Sequence, residues 1–142
     1  MVVPQLSVFL ENRPGHMKRI LNAFEVARIN VLGYSASDTG DYGIARFILD
    51  KPEAGLEVLR AEGCAVILTE VLCVHLPNKP GELARVIGAI ADAGINVQYS
   101  YSLISNVITI YANDIKSTEA ALQGQPIELV SLDAISLQFP SD

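Results

Sequence analysis

The chain has 142 residues, half of them hydrophobic and only 18% charged, which excludes an intrinsically disordered polymer. Asp and Glu outnumber Lys and Arg 16 to 10, giving a net charge of −6, so a surface that tracks nucleic-acid phosphates is excluded as well. No run approaches the roughly 18 uncharged apolar residues of a membrane helix, Met1-Val2-Val3-Pro4-Gln5 does not open a secretory signal, and Cys64 and Cys73 are too few for a disulfide scaffold or a zinc site, so a small acidic protein of the reducing cytoplasm is expected.

The dominant feature is an internal repeat. Val8-Phe9-Leu10-Glu11-Asn12-Arg13-Pro14-Gly15 recurs as Val74-His75-Leu76-Pro77-Asn78-Lys79-Pro80-Gly81, at an offset of 66 residues. The echo runs on through Arg19 and Arg85, Ala23 and Ala89, Ala27 and Ala93, to Ile29-Asn30-Val31 and Ile95-Asn96-Val97. Of the 24 positions from Val8 to Val31, 11 are identical without a gap, which establishes a tandem duplication. Its units are expected at residues 1–69 and 70–142.

In the first unit Leu6, Val8 and Leu10 alternate as one face of a strand. An Asn-Arg-Pro-Gly turn follows, with Pro suited to the first helical position. Met17, Ile20, Leu21, Phe24 and Ala27 then form one buried helical stripe. Strands at Val31–Ser37 and Tyr42–Leu49 form a hairpin through Asp38-Thr39-Gly40-Asp41. Asp50 is placed to cap a helix over Pro52–Glu62, which Gly63 closes, and Ala65–Leu68 is the last strand.

The second unit repeats this order. Leu72, Val74 and Leu76 mark its first strand, and Leu83, Val86, Ile87, Ile90 and Ala93 its first helix. The hairpin is Val97–Ile104 with Val107–Ala112, turning at Ser105-Asn106. Ser117 caps Thr118–Gln123, Gly124 closes it, and Ile127–Val130 is the last strand. The fold class is therefore α+β, two tandem ferredoxin-like βαββαβ units. Ile135, Leu137 and Phe139 repeat the spacing of the opening strands, so an extra C-terminal strand over residues 133–139 is expected to pair with a sheet edge. Ala65-Val66-Ile67-Leu68 and Val107-Ile108-Thr109-Ile110-Tyr111 lack polar alternation, which predicts a covered second sheet face and a homodimer.

The sequence carries no GxGxxG, P-loop or HExxH pattern, and no cofactor is expected. Gly33-Tyr34-Ser35-Ala36-Ser37 lacks the closing glycine of a nucleophile elbow. His16 and His75 stand at no recognisable spacing from an acid and a nucleophile, so enzymatic activity is not expected. Asp38 with Asp41, and Cys73 with His75, read as a polar hairpin tip and as strand packing; no metal site is expected.

What remains is the twice-repeated Asn-x-Pro-Gly turn at a helix start. Free N–H groups there suit a carboxylate, Gly15 and Gly81 leave room for close approach, and Asn12 and Asn78 offer donors and acceptors. The same residues also make an ordinary cap and turn. At this point the chain resembles the ACT domain family, small-molecule sensing modules usually attached to enzymes of amino-acid metabolism. The resemblance rests on Glu11-Asn12-Arg13-Pro14-Gly15, Asn78-Lys79-Pro80-Gly81, the helix stripes behind them, and Asn30-Val31 and Gly94-Ile95-Asn96-Val97. It covers nearly the whole chain twice.

The resemblance implies a stand-alone ACT pair that binds a free amino acid and signals to a partner, an enzyme of amino-acid metabolism. In that family the ligand lies where two ACT units meet. One implied site joins Asn12, Gly15, His16 and Met17 to Asn96 and Val97; the other joins Asn78, Gly81, Glu82 and Leu83 to Asn30 and Val31. The loop takes the carboxylate, and an Asn amide or strand carbonyls take the ammonium group. Serine-binding members carry a His two residues before the loop Asn, where this chain has Leu10 and Leu76, so an apolar amino acid is favoured. Arg28 stands where the second unit has Gly94, so either a left-handed cap there costs on the order of 1 kcal/mol or the turn differs. Residues 1–69 hold 7 basic and 8 acidic groups, and residues 70–142 hold 3 and 8, so net −1 against −5 favours the first loop for a carboxylate. The rival reading is a protein–protein interaction module whose ligand sites are degenerate.

Overall fold

The computed structural model of the chain describes residues 1–11, 13–38, 40 and 42–138. The chain divides into two compact units, Pro4–Thr69 with Ser136–Asp142, and Met1–Val3 with Glu70–Ile135. The first unit contains all but the first residue of β1 (Val3–Leu10), with α1 (His16–Val26), β2 (Val31–Asp38), β3 (Gly43–Leu49), α2 (Pro52–Ala61) and the opening residues of β4 (Val66–His75). The second contains the rest of β4, α3 (Glu82–Asp92), β5 (Val97–Ser102), β6 (Val107–Ala112), α4 (Ile115–Gln123) and most of α5 (Leu132–Gln138).

Strand order is β2-β3-β1-β4 in the first unit and β4-β6-β5 in the second. The hairpins β2–β3 and β5–β6 are antiparallel, as are the central pairs β1–β3 and β4–β6. This is the expected α+β, split βαβ plan, twice. Alternation along the strands explains it. In the first unit Leu6, Val8, Ala45, Phe47 and Leu49 point to one face, where Ile20 and Phe24 of α1 and Leu59 of α2 cover them. Phe24 meets Phe47 edge-to-face, with ring centroids 5.3 Å apart. The second core repeats the scheme with Leu72, Val74, Ile108 and Ile110 under Val86, Ile90 and Leu122. Each such fully buried side chain contributes about 1.5–3 kcal/mol relative to exposure.

The duplication extends to irregularities. The register slips between Val31 and Gly33 in β2, and between Val97 and Tyr99 in β5. Both first helices end in a left-handed residue, Arg28 at φ 58° and Gly94 at φ 75°. After it, Ile29 N–H donates back to Phe24 O at 2.9 Å and Ile95 N–H to Ile90 O at 3.2 Å. Of the two outcomes open at Arg28 the structure shows the left-handed cap, adopted there by a non-glycine residue.

Several expectations need correction. Residues 132–138 form helix α5, not a strand. Ser131 Oγ accepts from Ala134 N–H at 3.1 Å and opens the helix, Ile135 is buried, and Leu137 is 80% exposed, so the alternation there was not a sheet face; Phe139 lies outside the described residues. The last strand of the first unit runs without a break into the opening strand of the second, giving the ten-residue β4. The last strand of the second unit shrinks to a bridge between Val74 and Leu129, flanked by His75 N–H to Glu128 O and Val130 N–H to Cys73 O. Asp50 does not cap α2; its Oδ1 accepts from Asn30 N–H at 2.9 Å, and Lys51 is the N-cap. Helix α4 starts earlier than expected because Asp114, not Ser117, caps it. The helix stripes are narrower too, since Leu21 and Leu83 are 38% and 50% exposed. Ile67 and Leu68 stand exposed on β4, whereas Val107–Ile110 of β6 are buried on both faces. Among the described residues no helix is long and apolar enough to cross a membrane.

Candidate functional site

The turn after the first strand has the same geometry in both units. Arg13 N–H donates to Glu11 O at 2.7 Å, and Lys79 N–H to Pro77 O at 2.9 Å. Gly15 and Gly81 are the N-caps of α1 and α3 at φ 92° and 87°, a conformation that disfavours any other residue. Pro14 and Pro80 therefore precede the cap rather than open the helix. A Cβ on either glycine would meet nothing within 4 Å, so both are required by backbone angle and face open space. Among the described residues no side chain caps α1 or α3; Glu82 N–H turns back to Lys79 O at 3.4 Å, and the other N–H groups of each first turn are left to solvent or a ligand.

Topology brings the tip of the hairpin to this turn. Leu10 pairs with Gly43 and His75 with Val107, so the end of each central strand lies beside the start of the hairpin's second strand. Each unit has a cavity there. In the second it measures about 260 Å³ and is lined by Asn78, Lys79, Glu82 and Leu83 with Leu76, Ser102, Ser105 and Asn106. In the first it is wider, about 420 Å³, and is lined by Leu10, Glu11, Arg13 and Pro14 with Ser37, Asp38 and Gly43.

The structure distributes the expected site residues unevenly. Asn78, Glu82 and Leu83 share the second cavity, with Gly81 as the cap beneath. In the first unit His16 is turned inward, only 8% exposed. Its Nδ1 accepts from Glu11 N–H at 2.9 Å, and its Nε2 stands 3.8 Å from Cys64 Sγ. The ring clamps the loop from beneath, with the proton on Nε2, and does not line the cavity. Met17 and Val31 pack against the first core, and Val97 against the second. Asn30 is tied to Asp50 in both directions, by its N–H to Oδ1 and by its carbonyl to Asp50 N–H at 3.1 Å. Asn96 lines a further cavity of the second unit with Gly94, Gln98, Asn113, Asp114 and Ser117. Asn12 lies outside the described residues.

Electrostatics separate the two loops. Arg13 is paired with Glu11 at 2.5 Å, so its charge is compensated. Glu82 is paired with Arg85 at 2.7 Å, and Arg85 also donates to Pro126 O at 2.7 Å. Lys79, on the second cavity, forms no ion pair among the described residues. Ser105 Oγ, on the same cavity, is buried without a hydrogen-bond partner among the described residues. Sequence reasoning missed Ser102, Ser105, Asn106 and Ser37 as lining residues. Antiparallel pairing of the first and third strands of a split βαβ unit was the signal that places them. Among the described residues no group of three or more His, Cys, Asp or Glu is placed to hold a metal ion.

Comparison with known proteins follows the same lines. The model of the ACT domain pair family matches residues 1–131. A solved structure of a protein from Bacteroides thetaiotaomicron is 28% identical, superposes with a TM-score of 0.89, and is covered over 96% of its length by 95% of this chain. The regulatory subunit of aspartate kinase from Thermus thermophilus shares the fold at 21% identity and a TM-score of 0.63, over 84% of this chain and 88% of that one. A putative C-terminal regulatory domain of aspartate kinase from Porphyromonas gingivalis does so at 19% identity and a TM-score of 0.54, over 87% of this chain and 93% of that one. A search of curated proteins finds no match. With its repeated turns, its two split βαβ units and the family match over 131 residues, the chain belongs to the ACT domain pair family.

Proposed function

We propose that this chain is a non-enzymatic regulatory protein that binds a free amino acid through the turn opening α3, and signals binding to a partner protein. The observation that carries this reading is the second-unit cavity. It combines an uncapped helix start, an unpaired ammonium on Lys79 and an unsatisfied hydroxyl on Ser105, three donors that suit one carboxylate. At about 260 Å³ it falls below the range of about 300–1,000 Å³ typical of larger ligands. Leu76, Leu83 and Ile108 on its wall favour an apolar side chain. In this reading Asn78, Gly81, Glu82 and Leu83 form the loop half of the site, which takes the carboxylate, and an Asn amide or strand carbonyls take the ammonium group.

The preference of charge for the first loop is reversed here. Arg13 is neutralised by Glu11 and His16 is spent on the Glu11 N–H, so Asn12, Gly15, His16 and Met17 form the weaker candidate. That local occupancy favours a second reading for the first unit alone, a structural module with a degenerate site. ACT domains are regulatory modules, and binding to one state of such a module shifts its equilibrium toward that state. The partner in this reading is an enzyme of amino-acid metabolism, the chain acts as a homodimer, and the compartment is the cytoplasm. The test is calorimetric titration of the Asn12→Ala/Asn78→Ala variant with an amino acid that binds the wild type. Affinity reduced at least severalfold supports the assignment, and unchanged affinity refutes it.

A further inference from the structure

The second-unit cavity is one-sided in charge. Its wall carries three kinds of donor for an anion: the opening of α3, the Lys79 ammonium and the Ser105 hydroxyl. It carries one carboxylate, Glu82, and Arg85 already holds that one at 2.7 Å. A free amino acid therefore sets its ammonium group against neutral acceptors here. A ligand that ends in a carboxylate but has an amide in place of the ammonium meets no such deficit. The C-terminal residue of a polypeptide is such a ligand. In the first unit the cavity is lined by Glu11 and Asp38, and Arg13 is paired with Glu11, so the same group is repelled there.

The cavity also opens beside an unused sheet edge. Ser102, on its wall, ends β5, which among the described residues pairs only with β6. Leu103 N–H donates to Val107 O at 2.8 Å, and hydrogen-bonded pairs alternate with open ones along an antiparallel ladder. Ser102 and Ser100, opposite Ile108 and Ile110, therefore turn their own N–H and C=O away from β6, toward the free edge. Both residues are exposed. An extended chain whose last carboxylate lies at Lys79 and Ser105 meets these backbone groups as it leaves the cavity. Leu76, Leu83 and Ile108 are there for its last side chain.

We propose that the second unit docks the C-terminus of a partner polypeptide, with its final carboxylate in the cavity, an apolar last side chain, and the residues before it added as a strand along β5. A free amino acid at the same donors then acts by displacing that C-terminus. The inference rests on the carboxylate half of the reading above and not on recognition of an ammonium group.

The test is amide NMR of the ¹⁵N-labelled protein titrated with acetylated tetrapeptides, N-acetyl-Ala-Thr-Ser-X with X as Val, Leu, Ile or Phe, each as the free carboxylate and as the C-terminal amide. With at least one carboxylate peptide, saturable shifts are expected at Lys79, Glu82 and Ser105 that continue along β5 to Ser100. Binding should be about tenfold weaker for its amide, and for the carboxylate peptide in Lys79→Ala. Ser100→Pro removes an outward N–H at an edge position that tolerates proline, away from the cavity. It should weaken the peptide severalfold and leave the affinity for a free amino acid unchanged. Ser100→Ala, which loses only the hydroxyl bond to Thr109 O at 2.6 Å, is its control and should bind the peptide as the wild type does. No shift with any peptide would overturn this inference, and a free amino acid that still shifts the cavity resonances would leave the amino-acid reading standing. A peptide that binds where no free amino acid does supports the docking and sinks that reading. Equal binding of amide and carboxylate, or a Ser100→Pro variant that binds the peptide as well as Ser100→Ala, would also overturn the proposal.

Discussion

Replacing Arg28 by glycine should stabilise the protein. Arg28 is held at φ 58°, where a Cβ crowds the following carbonyl at about 1–2 kcal/mol. The second unit has Gly94 in the same conformation, at φ 75°. Arg28 is exposed and its side chain makes no hydrogen bond or ion pair among the described residues, so truncation removes no compensating contact. The bond from Lys51 Nζ goes to its backbone carbonyl and survives the change. Against the relief stands glycine's larger freedom in the unfolded chain, about 0.5–1 kcal/mol. The net gain is about 0.5–1 kcal/mol, which corresponds to about 2–4 °C in Tm for a chain of this size. Urea unfolding followed by circular dichroism would read it as a raised midpoint with an unchanged slope. The reciprocal Gly94→Arg should lose a similar amount. An Arg28→Gly variant no more stable than the wild type would refute the account of strain at this cap.

Two further predictions concern titrating groups. Burial pushes the Cys73 thiol up to about 12, whereas Cys64 is half-buried, so a thiol reagent near pH 8 should label Cys64 in the native protein and reach Cys73 only on unfolding; equal native rates would contradict this. The Ser117 backbone and hydroxyl bonds lower the Asp114 pKa from its ordinary 3.8. The stability this carboxylate adds is therefore fully present above that ordinary value and lost as pH falls through the lower folded value, so the gap between wild type and Asp114→Ala should close in acid; a gap that does not narrow on acidification would count against it.

Much of the fold was legible because each half repeats one pattern of alternation, glycine and capping. Leu6, Val8 and Leu10 could only be one face of a strand, and the duplication fixed where its twin begins. The junction was harder, because nothing between Val66 and His75 breaks extended structure and two expected strands merged into one. The tail misled because Ile135 and Leu137 fit a strand's period as well as a short helix, and Ser131 and Asp133 decided for the helix. At the loops the sequence located the turns but not the side chains around them. His16 stands among the expected ligand-binding residues, yet its ring turns inward to accept from Glu11 N–H. Charge alone favoured the first loop, because no sequence pattern shows that Arg13 is paired and Lys79 is not.

The most direct test of the central claim is a thermal-shift screen of the purified protein against the proteinogenic amino acids at millimolar concentration. A ligand at 100 times its Kd adds about 2.7 kcal/mol to folding stability. We predict a clear rise in Tm with one apolar amino acid, diminished in Lys79→Ala. No rise with any of them would contradict amino-acid sensing and leave the protein an interaction module.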